Sequence, residues 1–504
     1  MAKLLSHPSE TVHERAPVAC GTPLKLHNEK DEGPARPANR LRWRPILGRI
    51  TGVIGALLLL ITSTNIRAQE TTPETTADTE KTDAPKEEKR STGLPKQVKW
   101  TFNVDAAWGS FGFGNSLYTD VRPDPSENLG NHWFEGYVKP ALSVVFPLGK
   151  SELYGKLSAV GERTYGGPSI AGESASSFKQ EDLYMGWRSG HSLSSSENLL
   201  DFTVGRTPYM IGHGFLVWDG TGEGGSRGGF WTNARKAWKF AGIARIKPAN
   251  HTIEGFYLDR DDVPENPTGT RLAGINYQYA AGKNSTFGVT WLRAFAHPNV
   301  LPDRDGMNVY NARAYTAPIP ALSDLSFELE IAYEENHKLM HSTAWNALGA
   351  YQLSNLPWKP KLSYRYAFFE GAKPNKTVNT AFDPLYVGFY DWGTWWQGEI
   401  AGEYFLANSN NISHQARIHM SPTDKLGWGV IGYWFYADQA ATFGHGVTSP
   451  NVAFELDTYA DWKFHKNFTL NVLGAYADPH KAVQEAYNRT SPFYYGMVYI
   501  AYSF

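Results

Sequence analysis

From Trp100 onward the chain alternates between apolar and polar positions. Trp100, Phe102, Val104, Ala106 and Trp108 share one parity, and Thr101, Asn103, Asp105 and Ala107 the other. This is the period of a strand, whose successive side chains point to opposite faces. The same period returns in Leu325, Phe327, Leu329, Ile331 and Tyr333, interleaved with Ser326, Glu328, Glu330, Ala332 and Glu334. It returns again in Leu362, Tyr364, Tyr366 and Phe368, and in Phe454, Leu456, Thr458, Ala460, Trp462 and Phe464. The chain finishes with Tyr494, Gly496, Val498, Ile500, Tyr502 and Phe504 on one parity. A soluble protein ending on such an aromatic, unprotected edge would invite aggregation.

A tilted strand needs about nine to eleven residues to cross a bilayer, and about nineteen such segments fall between Trp100 and Phe504. Single-chain bacterial barrels use an even number, so the reading is all-β: a transmembrane antiparallel β-barrel of roughly sixteen to eighteen strands, eighteen preferred. Segments 199–206 and 308–315 alternate least clearly. The connections at 147–150, 248–250 and 465–467 are short and expected to be periplasmic turns, whereas 207–235 and 370–394 are long and expected outside the cell. This order breaks between 395 and 452, where 438–452 is long in a place that calls for a short turn. Either a strand is misplaced there, or one long connection folds back into the pore.

Three parts precede or make up the barrel. Residues 1–68 hold a polar extension and then a secretory signal: Arg40, Arg42, Arg44 and Arg49, an apolar run from Ile50 to Thr64, and a cleavage position after Ala68. Residues 69–95 are almost all Glu, Thr, Asp, Lys, Pro and Ser, which cannot bury enough apolar surface to order, and form a disordered periplasmic leader. Residues 96–504 are the barrel. A mean hydropathy of −0.42 excludes a bundle of spanning helices but suits a barrel, which hides its apolar content on alternate residues. Aromatic residues at 14% fit the interfacial girdles of such a wall. The net charge of −2 argues against a nucleic-acid partner. The sole cysteine, Cys20, lies in the excluded extension, so the mature chain has no thiol chemistry.

The polar parity of the strands assigns Lys139, Lys156, Arg188, Lys239, Arg245, Arg313, Arg365 and Arg417 to the lumen, with Asp182, Glu328, Glu330, Glu399, Glu403, Glu455, Asp457 and Asp461 beside them. A charge facing lipid at mid-membrane would cost about 2–4 kcal/mol for Arg or Lys, and charged rings inside a pore set its ionic preference. Arg206 and Arg293 fall on the apolar parity. Gly205 offers a bulge that would re-aim Arg206, which is kept among the pore-lining candidates. No catalytic constellation stands out: there is no GxSxG elbow, and His337 and His341 lack the HExxH glutamate. The Gly-rich stretch Trp218 to Trp231 lacks a phosphate-loop Lys and reads as a flexible surface loop. No cofactor is implied beyond a loop calcium site, for which Asp259, Asp261 and Asp262, or Asp303, Asp305 and Gly306, offer oxygen ligands.

The last strand looks like the C-terminal β-signal of outer-membrane proteins, which implies the barrel-assembly machinery as a partner along with outer-membrane lipid and lipopolysaccharide. Val204, Gly205 and Arg206, together with Asp383, Pro384, Leu385, Gly388, Asp391, Trp392, Gly393 and Trp395 and the following Gly402, Tyr404 and His414, resemble the alginate export family of outer-membrane barrels. That resemblance implies eighteen strands, an Arg-rich constriction for an anionic polysaccharide passing outward, pore-blocking loops and periplasmic export components. The acids beside the arginines would suit a neutral oligosaccharide as well. Two functions follow as expectations: export of a polyuronate or its oligosaccharides, and, as the alternative, a general or nutrient-uptake porin for small anions or sugars. An outer-membrane enzyme is disfavoured.

Overall fold

The computed structural model describes residues 97–115, 132–166, 175–194, 197–319, 322–337, 339–388, 398–404, 406 and 408–504. The signal segment, its cleavage position after Ala68 and the leader at 69–95 lie outside the described residues. So do Asp391, Trp392, Gly393 and Trp395.

Eighteen strands make up the fold: β1 (Lys99–Gly114), β2 (His132–Leu148), β3 (Ser151–Tyr165), β4 (Ala175–Arg188), β5 (Leu200–Thr207), β6 (Trp238–Ile246), β7 (His251–Asp259), β8 (Arg271–Ala280) and β9 (Ser285–Phe295) in the first half. The second half holds β10 (Asn308–Thr316), β11 (Leu325–Asn336), β12 (Met340–Gln352), β13 (Lys361–Phe369), β14 (Asn411–Thr423), β15 (Leu426–Tyr436), β16 (Asn451–His465), β17 (Phe468–Pro479) and β18 (Phe493–Ser503). Each pairs antiparallel with its sequence neighbours, and β1 pairs with β18 in the register Ser110 to Val498 and Gly112 to Gly496, so the sheet closes on itself. Closure satisfies every backbone group along the wall, which a lipid environment demands.

The alternation decides which face meets what. Trp100 (66% exposed), Phe102, Trp108, Leu329, Ile331, Leu362, Tyr364, Leu456 and Trp462 point outward, while Glu330, Arg365, Glu455 and Asp457 on the opposite parity are buried. Apolar side chains outside and charges inside invert the pattern of a soluble protein. That inversion is stable only in lipid, and the chain is a transmembrane barrel of the bacterial outer membrane.

The weakly patterned segments 199–206 and 308–315 are strands β5 and β10. The break in the order between 395 and 452 has a misplaced strand as its cause: Glu399 and Glu403, assigned to a wall strand by parity, lie in no strand. Residues 399–400 make a turn leading into a short helix, α1 (Ala401–Tyr404), inside the barrel. Removing that strand restores the order of connections: the short turn falls at 424–425, and the long stretch 437–450 joins β15 to β16 on the same side as the other long connections. That stretch carries α2 (Ala440–Phe443), and α3 (Lys481–Tyr487) lies between β17 and β18.

The long connections fold inward. Phe215, Leu216, Val217, Phe382, Leu385 and Tyr386 pack with the inner faces of β6 to β13 in one apolar cluster. Ile400, Ala401, Ala482 and Val483 pack inside β1, β2 and β15 to β18 in another. The two longest segments also pair with each other, Trp218 N donating to Tyr386 O at 2.8 Å and Tyr386 N to Leu216 O at 3.0 Å. The Gly-rich stretch at 218–231 is therefore no surface loop: Asp219, Thr221, Arg227 and Phe230 are all buried.

Candidate functional site

Wall carboxylates anchor the infolded segment 208–237. Glu135 on β2 accepts from the backbone N–H groups of Trp231 and Thr232, both at 2.9 Å. Glu181 on β4 accepts from Lys236 N at 2.6 Å and Ala237 N at 2.9 Å. Glu181 was missed by parity because its neighbour Asp182 also faces inward. A bulge allows both: Leu157 opposes Leu183 and Ala159 opposes Gln180, so two residues of β4 face Ser158 alone. Two consecutive acids in an otherwise alternating strand were the only sequence signal.

Along the wall most of the basic groups face a carboxylate. Lys139 reaches Glu181 at 3.5 Å, and Lys156 reaches Asp182 at 3.0 Å. Arg188 meets Glu152 at 2.6 Å, Arg245 meets Glu254 at 2.7 Å, and Arg365 meets Glu328 at 3.5 Å. Arg313 is buried among neutral acceptors, donating to Asn276 at 2.6 Å and Thr290 at 2.9 Å. Arg417 donates to the Tyr459 hydroxyl at 2.7 Å. Glu330 accepts from Asn311 at 3.0 Å and Tyr315 at 2.8 Å. Asp457 accepts from Glu399 N at 3.5 Å. Glu399 itself stands on the infolded turn before α1, not on a wall strand, and is buried beside Trp231.

Two basic positions depart from the parity assignment. Arg206 turns inward because the ladder slips between Gly205 and Thr207, and it meets Asp261 at 2.5 Å. Gly205 makes the slip possible: its φ is +126°, and a Cβ there would lie 2.4 Å from Leu183 O. Lys239 is a correction. Trp238 takes the buried position, and Lys239 emerges at the rim, its side chain 62% exposed and its Nζ 3.7 Å from Asp259.

Asp261 gathers three guanidiniums, from Arg206, Arg227 at 3.0 Å and Arg235 at 2.8 Å. Burial alone would raise its carboxyl, but these charges hold it below the usual range. Asp262 accepts from Thr268 at 3.0 Å and Gly269 N at 2.8 Å. Asp303 accepts from Asn379 at 2.8 Å, and Asp305 from Ala296 N at 3.1 Å. These oxygens serve protein donors, and among the described residues no three His, Cys, Asp or Glu side chains are placed to hold a metal.

Between the infolded segment and the wall lies a cavity of about 470 Å³, lined by Lys139, Lys236, Lys463 and Lys466 with Asp105 as its one acid. Asn233, Asn467, Tyr137 and Tyr502 add neutral polar groups. It faces the end of the barrel that carries the short turns, since Lys466 and Asn467 are the turn between β16 and β17. Lys139 and Lys236 are shared with Glu181 and Asp219. Among the described residues, no ion pair engages Lys463 or Lys466.

An eighteen-stranded outer-membrane barrel whose interior is narrowed by its own connections, leaving a basic water-accessible space, defines a class: channel-forming barrels. No family model and no curated protein matches the sequence. Solved structures do. The barrel is similar to OccK5 (OpdH) of Pseudomonas aeruginosa with a TM-score of 0.53 at 10% identity, over 82% of this chain and 99% of that one. OccK7 (OpdD) of the same organism gives 0.50 at 10% identity, over 81% and 99%, and its OccD3 (OpdP) gives 0.50 at 11%, over 82% and 92%. At such identity the likeness shows the fold. It overturns the resemblance to alginate exporters, since these barrels are OprD-type porins. The motifs behind that resemblance have structural duties here instead: Asp383 binds buried Arg304, and a Cβ on Gly388 would collide with the Trp218 ring.

Proposed function

We propose that this protein is a passive porin through which small, negatively charged, water-soluble solutes cross the outer membrane, taken up down their gradient with no bond made or broken. The observation that carries this reading is the lysine-lined cavity. Its volume suits a small solute. Low-dielectric walls focus the field of Lys463 and Lys466, which no described carboxylate pairs with, so anions concentrate there. The wall arginines do different work. Each of Arg188, Arg245 and Arg365 faces a carboxylate, which braces the interior and leaves little net field. The likeness to OprD-type porins supports uptake over polymer export.

The test is reversal potential in planar bilayers under a salt gradient. The wild-type pore is expected to prefer anions, and Lys463→Glu with Lys466→Glu should abolish or invert that preference in a folded barrel, because lumen substitutions tune selectivity more than stability. A wild-type pore that prefers cations overturns the reading.

A further inference from the structure

Two neighbouring arginines on β8 and β9 face the wrong way for a pore. Arg271 opens β8 on the parity of outward-facing Ile275 and Tyr279, and it is exposed. Arg293, near the end of β9, shares parity with outward-facing Phe287, Val289 and Trp291. Register makes them neighbours: Arg271 opposes Phe295 and Arg293 opposes Ala273. They are thus diagonal partners on one face, about 7–8 Å apart at Cα. Arg293 lies over the Phe295 ring at 5.7 Å. On the other side Arg271 opposes Asp259, whose carboxylate is engaged by Lys239.

These cations stand on the outer surface at the long-connection rim. Lipid-exposed Arg or Lys is tolerated there at about 0–1 kcal/mol, against about 2–4 at the midplane. The acid opposite Arg271, Asp259, is shared with Lys239. Among the described residues no carboxylate pairs with Arg271 or Arg293, and Arg293 Nε is buried without a hydrogen-bond partner. Immediately below, Phe240, Tyr257, Ile275 and Trp291 form an apolar wall. Unpaired guanidinium forks above an apolar strip match an amphiphile with phosphate at its head and acyl chains beneath, since Arg binds phosphate through paired donors.

We propose that Arg271 and Arg293, assisted by Lys239, form a binding site for the phosphorylated headgroup of an outer-leaflet glycolipid, lipopolysaccharide, whose chains lie along β6 to β9. The site lies outside the lumen and is independent of what the pore conducts.

The experiment uses native mass spectrometry of the purified barrel with lipid A, bisphosphorylated or enzymatically dephosphorylated. The wild-type barrel should retain the phosphorylated lipid at least several-fold better than the dephosphorylated one. Arg271→Gln with Arg293→Gln should remove that difference while leaving single-channel conductance unchanged. Equal retention of the two lipids by the wild type overturns the site even if the double variant does not fold, and so does a folded double variant that still discriminates between them.

Discussion

Glu223 and Asp261 illustrate how two carboxyl groups are driven in opposite directions within one infolded segment and its neighbour. Burial pushes the Glu223 carboxyl well above its ordinary value of 4.5, aided by the Glu162 carboxylate, and the Arg235 contact at 4.0 Å is too long to offset this. Neither Glu223 oxygen has a hydrogen-bond partner among the described residues. A raised folded-state value means that the stabilisation is complete below the ordinary value and is lost as pH rises through the raised one. For Asp261 the sign reverses: its lowered value contributes stability above the ordinary range, lost as pH falls through the folded value. Barrel stability should therefore decline on the alkaline side through Glu223 and on the acid side through Asp261. Glu223→Gln should flatten the alkaline decline and raise the melting temperature near neutral pH. An unchanged profile, followed by heat-dependent gel mobility against pH, would rule out this role. None of this was legible in the sequence, where both acids sit in unpatterned connections. The inward turn of Arg206 was partly legible, because Gly205 stands where period two breaks.

Elements divide into those whose partners are local and those whose partners are not. The strands were readable because hydrophobic period and length both belong to the segment itself. The exception was Glu399 and Glu403, read by parity as wall residues, where a turn and α1 form instead. The inward course of 208–237 and 370–388 was not readable, because it depends on wall residues far away in sequence. Arg304 and Asp383 show the consequence. They form a two-pronged pair, Nε to Oδ2 at 2.7 Å with a second, shorter contact, buried between the β9–β10 connection and the infolded segment. Glu334 on β11 accepts from Asp383 N at 2.8 Å. Breaking one side of a buried pair costs about 3–5 kcal/mol because the remaining charge is stranded. Asp383→Ala is thus expected to undock 379–388 while leaving the wall, whose ladder it does not touch, intact. Larger or noisier single-channel conductance and new protease cleavage in that segment are the expected readouts. Unaltered conductance and protection would mean that the apolar packing of Phe382, Leu385 and Tyr386 suffices by itself.

At the scale of the whole molecule, the barrel and its filling set what can pass. Eighteen strands alone would enclose a wide lumen, yet two apolar clusters formed by the connections occupy much of it, and the lysine cavity is a remaining space of about 470 Å³. Charge parity in the sequence indicated an ion-lined interior but not that connections fill part of it, since that follows from how the filling packs. A channel so narrowed should discriminate by size before charge. In swelling assays with reconstituted vesicles, a monosaccharide acid is expected to enter faster than a neutral sugar of equal size, because the lysines concentrate anions at the cavity. An acidic oligosaccharide of several units should be excluded despite its greater charge. Raising the ionic strength should erase the advantage of the acid over the neutral sugar, since exposed lysines are screened within about 10 Å at 0.1 M salt, while leaving the size limit in place. If the oligosaccharide entered as fast as the single sugar acid, the infolded segments could not be the restriction, and the pore would have to be wider than its filling allows.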